Sequence, residues 1–149
     1  MKTSIPLQII DLDHDGFHFL IDISLFGKSF KVVLDTGASK TAFDKTILLA
    51  ANETAALSES EKLSTGLGTN TMVSFTAIIH DMHIGSLQIP QFEVAVLDLS
   101  TINIAYGQLG HPQVLGVLGS DILMKYKAVI DYGKQVIIFK TKSPANSRA

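Results

Sequence analysis

Residues Val33-Leu34-Asp35-Thr36-Gly37-Ala38-Ser39 place a carboxylate at the end of an apolar run, directly ahead of residues that turn sharply. With Gly at ~7% of average usage, and Asp and Thr taken at about 5% each, chance alone gives an Asp-Thr-Gly so flanked in roughly 0.1% of chains this long. Upstream, Phe17, Phe19, Ile21, Ile23 and Leu25 recur at every second position, Gly27-Lys28 interrupts, and Phe30, Val32 and Leu34 resume the alternation. A two-residue period puts alternate side chains on one face of a strand, so residues 17–34 are predicted to be a hairpin that delivers Asp35 at its end.

Further outward the pattern stays β-rich. Ile5 to Ile10 reads as a strand running into the acidic turn Asp11-Leu12-Asp13-His14-Asp15-Gly16. Thr41-Ala42-Phe43-Asp44 resembles a capped helix start, with Phe43, Ile47, Leu48, Ala51 and Ala55 at helical spacing. Ser58 to Lys62 reads as a polar connection, and Ser64 to Thr71, carrying Gly66 and Gly68, as a hairpin tip. Val73 to Ile79 and Ile89 to Leu97 form two alternating runs around Gly85-Ser86. Residues 100–114 show no period and read as loop with one helical turn. Leu115 to Gly119 is a short apolar run, Ser120 to Lys125 suits a brief helix, and Ala128-Val129-Ile130 and Val136 to Phe139 frame a turn. Residues 1–140 are expected to form a single domain, and residues 141–149 a frayed tail.

Composition narrows the chemistry. The 149 residues are 46% hydrophobic and 17% charged, enough for one domain with a sizeable core. The net charge of -2 supplies no broad positive field for nucleic acid or anionic lipid. No cysteine is present, which removes thiolate nucleophiles, disulfides and Cys-ligated metal sites. No segment approaches the ~20 apolar residues of a membrane span, and Met1 to Pro6 lacks the features of a signal peptide, so a cytoplasmic location and no membrane partner are expected.

The chain resembles the retropepsin-like branch of the aspartic proteases on three segments in order: Val33 to Ser39 as the catalytic loop, Ser64 to Thr71 as the flap, and Val117-Leu118-Gly119-Ser120-Asp121-Ile122-Leu123 as the apolar-apolar-Gly segment entering a short helix. The resemblance implies a mainly β, closed barrel with one or two short helices and a flap hairpin. It implies an aspartic endopeptidase in which Asp35 is catalytic, Thr36, Gly37, Ala38 and Ser39 shape the active-site loop, and Gly66, Leu67 and Gly68 cover an extended peptide. Leu118 and Gly119 would pack behind that loop. One Asp-Thr-Gly per chain implies a homodimer in which two Asp35 carboxylates meet at the two-fold axis. Like charges ~3 Å apart repel by about 5 kcal/mol at an effective dielectric of ~20, so the pair is expected to share one proton. A water between them would be the nucleophile, with no metal or cofactor. Ala38, where the pepsin-like pattern often has a hydroxyl, implies a less acidic optimum, and Ser120 stands where the viral pattern has a basic residue.

Other constellations have plainer readings. Asp11-x-Asp13-x-Asp15-Gly16 with Asp22 at the twelfth position matches the spacing of a calcium loop, but strand-like flanks argue for a solvated acidic turn. His80 and His83 are an odd number apart on a strand and point to opposite faces. His14, His18 and His111 read as surface or loop histidines, Asp121 as a helix-start acceptor, and Asp131 as turn chemistry. The competing functions are a non-catalytic peptide-binding or dimerisation module of the same fold and, from a different class, a calcium-binding β protein.

Overall fold

A computed structural model describes residues 1–51, 58–59 and 74–141. Its strands are β1 (Lys2–Pro6), β2 (Gln8–Asp11), β3 (Phe17–Leu25), β4 (Lys28–Leu34), β5 (Ala42–Asp44), β6 (Ser58–Glu59), β7 (Phe75–Ile84), β8 (Leu87–Leu97), β9 (Gly116–Leu118), β10 (Val129–Asp131) and β11 (Val136–Lys140). Three helices interrupt them: α1 (Lys45–Ala51), α2 (Ser100–Gln108) and α3 (Ser120–Lys125).

The alternating residues of the predicted hairpin make β3 and β4, which pair antiparallel from Leu20↔Val33 to Leu25↔Lys28 around the turn at Phe26-Gly27. β4 continues the sheet through β9, β5, β8, β7 and β6, and a β3–β7 pairing at Ser24↔His83 joins the ring back on itself. Six strands, β3-β4-β9-β5-β8-β7, thus close a barrel, which leaves no free edge among them. A small sheet, β1-β11-β10, packs beside it.

The barrel is filled from both ends of the chain. Ile21, Ile23 and Leu25 of β3, Val32 of β4, Ile79, Met82 and Ile84 of β7 and Phe139 of β11 share one core. Phe43 and Phe139 are fully buried. Residues of the opposite pleat form a second, smaller cluster, in which Leu20 and Val33 meet Ile10, Tyr106 and Val114. β3 and β4 are therefore apolar on both faces over part of their length, as a strand with a layer on each side must be.

Several boundaries differ from the sequence reading. Ile5 to Ile10 is two strands parted at Leu7: β1 joins β11 while β2 joins β3. Phe17 continues the alternation of β3 but lies beyond the barrel wall and is 64% exposed. Thr41-Ala42-Phe43-Asp44 is not a helix start. Ala42–Asp44 is a strand held between β8 and β9, and α1 begins only at Lys45. The cap is Asp44, whose Oδ2 accepts the Ile47 N–H at 3.0 Å. Ser58-Glu59, read as connection, pairs with Phe75-Thr76 of β7. Ser100–Gln108 is a nine-residue helix where a loop was expected, which brings the described helices to three. Asp11–Gly16 is a tight turn between two strands, with the Asp13 N–H on Asp11 Oδ1 at 3.0 Å, which is not the helical setting of a calcium loop. Among the described residues no three His, Cys, Asp or Glu side chains cluster as metal ligands, and no described helix is long and apolar enough to cross a membrane.

Candidate active site

Asp35 follows the last residue of β4 and is held there from the distant β9. β4 and β9 run parallel with Val33↔Val117 and Leu34↔Leu118 in register, and the Asp35 N–H continues that ladder onto the Leu118 carbonyl at 3.1 Å. β9 also pairs antiparallel with β5, so it is threaded between the strands before and after the Asp35 loop. This threading needs glycine. A Cβ on Gly116 would overlap the Ala42 carbonyl, and one on Gly119 would lie 2.7 Å from the Lys40 carbonyl carbon and 2.9 Å from the Ala38 oxygen.

The loop itself is closed by short bonds. The Gly37 N–H donates to Asp35 Oδ1 at 3.0 Å, and the Ala38 N–H to the Asp35 carbonyl at 3.1 Å. The Ala38 carbonyl accepts from the Ser120 N–H at 2.8 Å, at the start of α3. Asp35, Thr36, Gly37 and Ser39 are exposed, Ala38 is half-buried, and Leu118 and Gly119 are buried beneath them. The catalytic-loop candidates and the apolar-Gly candidates therefore meet, although some 80 residues separate them in sequence. Gly66, Leu67 and Gly68, the flap candidates, lie outside the described residues.

Two side chains that sequence reading gave smaller roles complete the support. Thr41, fully buried, donates its hydroxyl to Asp121 Oδ1 at 2.8 Å and accepts the Gly119 N–H at 3.0 Å. Its own N–H donates to both Asp121 carboxylate oxygens at 3.0 and 3.1 Å. Asp121 does accept the Ile122 N–H, as a helix-start residue, but it also ties α3 to the strand leaving the Asp35 loop. The Gly-x-Asp spacing of Gly119 and Asp121 was the available signal; Thr41 carried none, because its partner is 80 residues away.

α2 lies over the second apolar cluster. Its Tyr106 is 3% exposed and packs in the cluster that contains Val33, with Val117 against its margin. The phenol and His18 Nδ1 are 2.6 Å apart, and the rings meet edge to face. Burial, and secondarily the charge of Asp35, push the Tyr106 phenol up to about 12. It stays protonated through the neutral range. His111 closes the other end of α2: its N–H donates to the Tyr106 carbonyl at 2.9 Å, and its Nε2 donates to the Asp11 carbonyl at 2.7 Å. His18, exposed on β3, and His111, in the loop after α2, are the surface and loop histidines expected, and both also anchor α2 to the β2–β3 hairpin. Asp131 is the turn residue expected, accepting the Lys134 N–H at 2.9 Å.

The aspartyl protease family matches residues 21–122, a span that contains the Asp35 loop, β9 and Asp121. The chain belongs to that family. Solved structures share its fold. A retropepsin-like aspartic protease from Rickettsia conorii superposes with a TM-score of 0.53 at 21% identity, over 93% of this chain and 91% of the other. The EIAV protease, solved with the inhibitor HBY-793, gives 0.56 at 16% identity over 82% and 99%. The retroviral protease-like domain of Ddi1 from Leishmania major gives 0.52 at 14% identity over 83% and 88%. No sequence among the curated proteins matches. At these identities the likeness establishes a retropepsin-like barrel and leaves the chemistry to this chain's own residues.

Proposed function

We propose that the protein is a homodimeric aspartic endopeptidase in which Asp35 of two chains shares one site. The observation that carries this reading is a single exposed carboxylate, fixed by the Gly37 N–H and the β4–β9 ladder, on a chain of a protease family. A surface loop whose apolar support is buried but whose Asp-Thr-Gly is open has the form of half a site, and a two-fold axis supplies the other half from the same surface. The symmetric pair holds one proton, since two carboxylates at contact cannot both be ionised. The ionised member takes a proton from a water lying between the two. The water oxygen bonds to the peptide carbonyl carbon as the carbonyl π pair moves to oxygen, where the protonated member donates. Collapse of the tetrahedral diol breaks the C–N bond as the departing nitrogen receives the proton held by the carboxylate pair, and one hydroxyl of the diol returns its proton to the pair as the carbonyl re-forms, which restores the singly protonated site.

Thr36 and Ser39 belong to the loop facing the partner, Gly37 and Ala38 to its tight turn. Gly66, Leu67 and Gly68 are assigned to the cover over the peptide, a role that excludes water and supplies backbone hydrogen bonds. The partners are a second copy of the chain and a peptide or protein substrate; the chemistry calls for no metal or cofactor.

Asp35→Asn tests the assignment. Cleavage of a peptide library should vanish while sedimentation still finds the dimer, and mixing equal amounts of Asp35→Asn and wild-type chains with exchange should leave about a quarter of the dimers with two carboxylates. Undiminished cleavage by Asp35→Asn, or cleavage by a strict monomer, refutes the shared site.

A further inference from the structure

Strand geometry decides what lies beside the Asp35 carboxylate. Side chains alternate along β4: Val32 enters the barrel core, and Val33 enters the second cluster. The Asp35 N–H continues the β4–β9 ladder onto Leu118, so the same alternation assigns Asp35, two residues beyond Val33, to that side. On β9 the register partner of Val33 is Val117, which packs against the same cluster, while Leu118 points into the barrel. The cluster on this side of β4 and β9 therefore holds Val33, two residues before Asp35, together with the ring of Tyr106, with Val117 packed against it.

That ring is not free to leave. Its hydroxyl is fixed by His18 on β3, its backbone carbonyl accepts from the His111 N–H, and His111 is in turn fixed to the β2–β3 turn. α2 is thus strapped to the hairpin at two points, with Tyr106 between them. The nearness of Asp35 is also felt electrostatically at the phenol.

Resting on the peptidase reading, we propose that Tyr106, pinned by His18, sets substrate specificity by filling the volume beside Asp35 that a bulky side chain next to the cleaved bond would need. An extended peptide centred on the carboxylates brings the side chains on either side of its reacting carbonyl against the walls nearest those carboxylates. Because the two-fold axis gives each half of the site the same wall, the limit applies to both residues flanking the bond. The substrate class is an extended peptide with short side chains, of alanine to valine size, at both positions. Tyr106 is a specificity-determining residue. It takes no part in proton transfer, since its hydroxyl is committed to His18.

The test is cleavage-site profiling of a mixed peptide library with the full chain and three variants, Tyr106→Ala, Tyr106→Leu and His18→Ala, with Asp35→Asn as blank. Wild type should cut between short side chains. Tyr106→Ala and Tyr106→Leu should raise kcat/KM for peptides with Phe or Leu flanking the bond by at least tenfold relative to Ala-flanked ones. His18→Ala, a change at an exposed residue, should do so by a smaller factor, through a lower KM for the bulky peptides. Should Tyr106→Ala fail to fold by circular dichroism, Tyr106→Leu and His18→Ala carry the comparison. Wild type that already prefers bulky flanking residues, or variants whose preference matches wild type, overturns the assignment of Tyr106 while leaving the Asp35 mechanism intact. No Asp35-dependent cleavage in any sample overturns both.

Discussion

Removing the Asp121 carboxylate should unlock the candidate catalytic loop from behind. Asp121→Ala deletes the acceptors of the Thr41 N–H and of the Thr41 hydroxyl, at a residue that is fully buried. Hydrogen bonds to a charged group contribute about 1.5–3 kcal/mol each, and stranding a buried donor costs about 1–3 kcal/mol. Asp121 is itself only half-buried, so water regains part of the loss. The net expected is about 3 kcal/mol, a factor of roughly 150 in the folded-to-unfolded ratio. Asp121→Asn keeps one acceptor oxygen and should cost about 1–2 kcal/mol. Thr41→Val, which orphans the Gly119 N–H but leaves the Thr41 backbone bond to Asp121, should cost about 2 kcal/mol. Because the two residues share a bond, the double variant should fall short of the sum by at least ~0.5 kcal/mol. Urea unfolding followed by far-ultraviolet circular dichroism, at one fixed protein concentration, measures all four. An Asp121→Ala protein within ~0.5 kcal/mol of wild type, at unchanged m-value, would refute the reasoning that Thr41 and Asp121 brace the loop.

Other expected outcomes follow from the same contacts. Gly116→Ala drives a methyl group into the Ala42 carbonyl where β9 crosses β5, so it should abolish folding or shift the melting temperature down by more than 10 °C in a thermal scan. Asp44→Ala removes a buried carboxylate that accepts the Ile47 N–H and, at 2.8 Å, the Leu99 N–H. A loss of about 2–4 kcal/mol in urea unfolding is expected, because both α1 and the entry to α2 lose their anchor. Tyr106 gives an alkaline signature: its phenol titrates at about 12 in the folded chain, against an ordinary value near 10. The unfolded chain releases this proton first, so stability is intact below pH ~10 and falls by up to about 2–3 kcal/mol as pH rises toward 12. Tyr106→Phe should flatten that fall, read by urea midpoints across the interval.

Local pattern carried most of the architecture. The two-residue alternation of Phe19 to Leu25 and Phe30 to Leu34 is a property of neighbouring residues, and the hairpin it predicts is β3–β4. Ser120 to Lys125 and the strands around Tyr132-Gly133 were legible for the same reason. Thr41 to Asp44 misled because a cap-like quartet looks alike whether it opens a helix or fills a slot between β8 and β9; the slot exists only once those distant strands are in place. Ser100–Gln108 was not legible as a helix because its inward face carries only Ile102 and Tyr106, one helical turn apart, too few apolar positions to show a period in sequence.

By itself the sequence determined the Asp-Thr-Gly loop at the end of a strand, the mainly β character and the absence of thiol chemistry, because each depends on residue identity and near-neighbour spacing. Only the tertiary structure decided that β9 runs between β4 and β5 and that Asp121 grips Thr41 across 80 residues. It alone also joined Tyr106 to His18, which share no motif. Those pairings are set by how strands close a barrel and by which buried donors must find acceptors, conditions that exist only after the chain has folded.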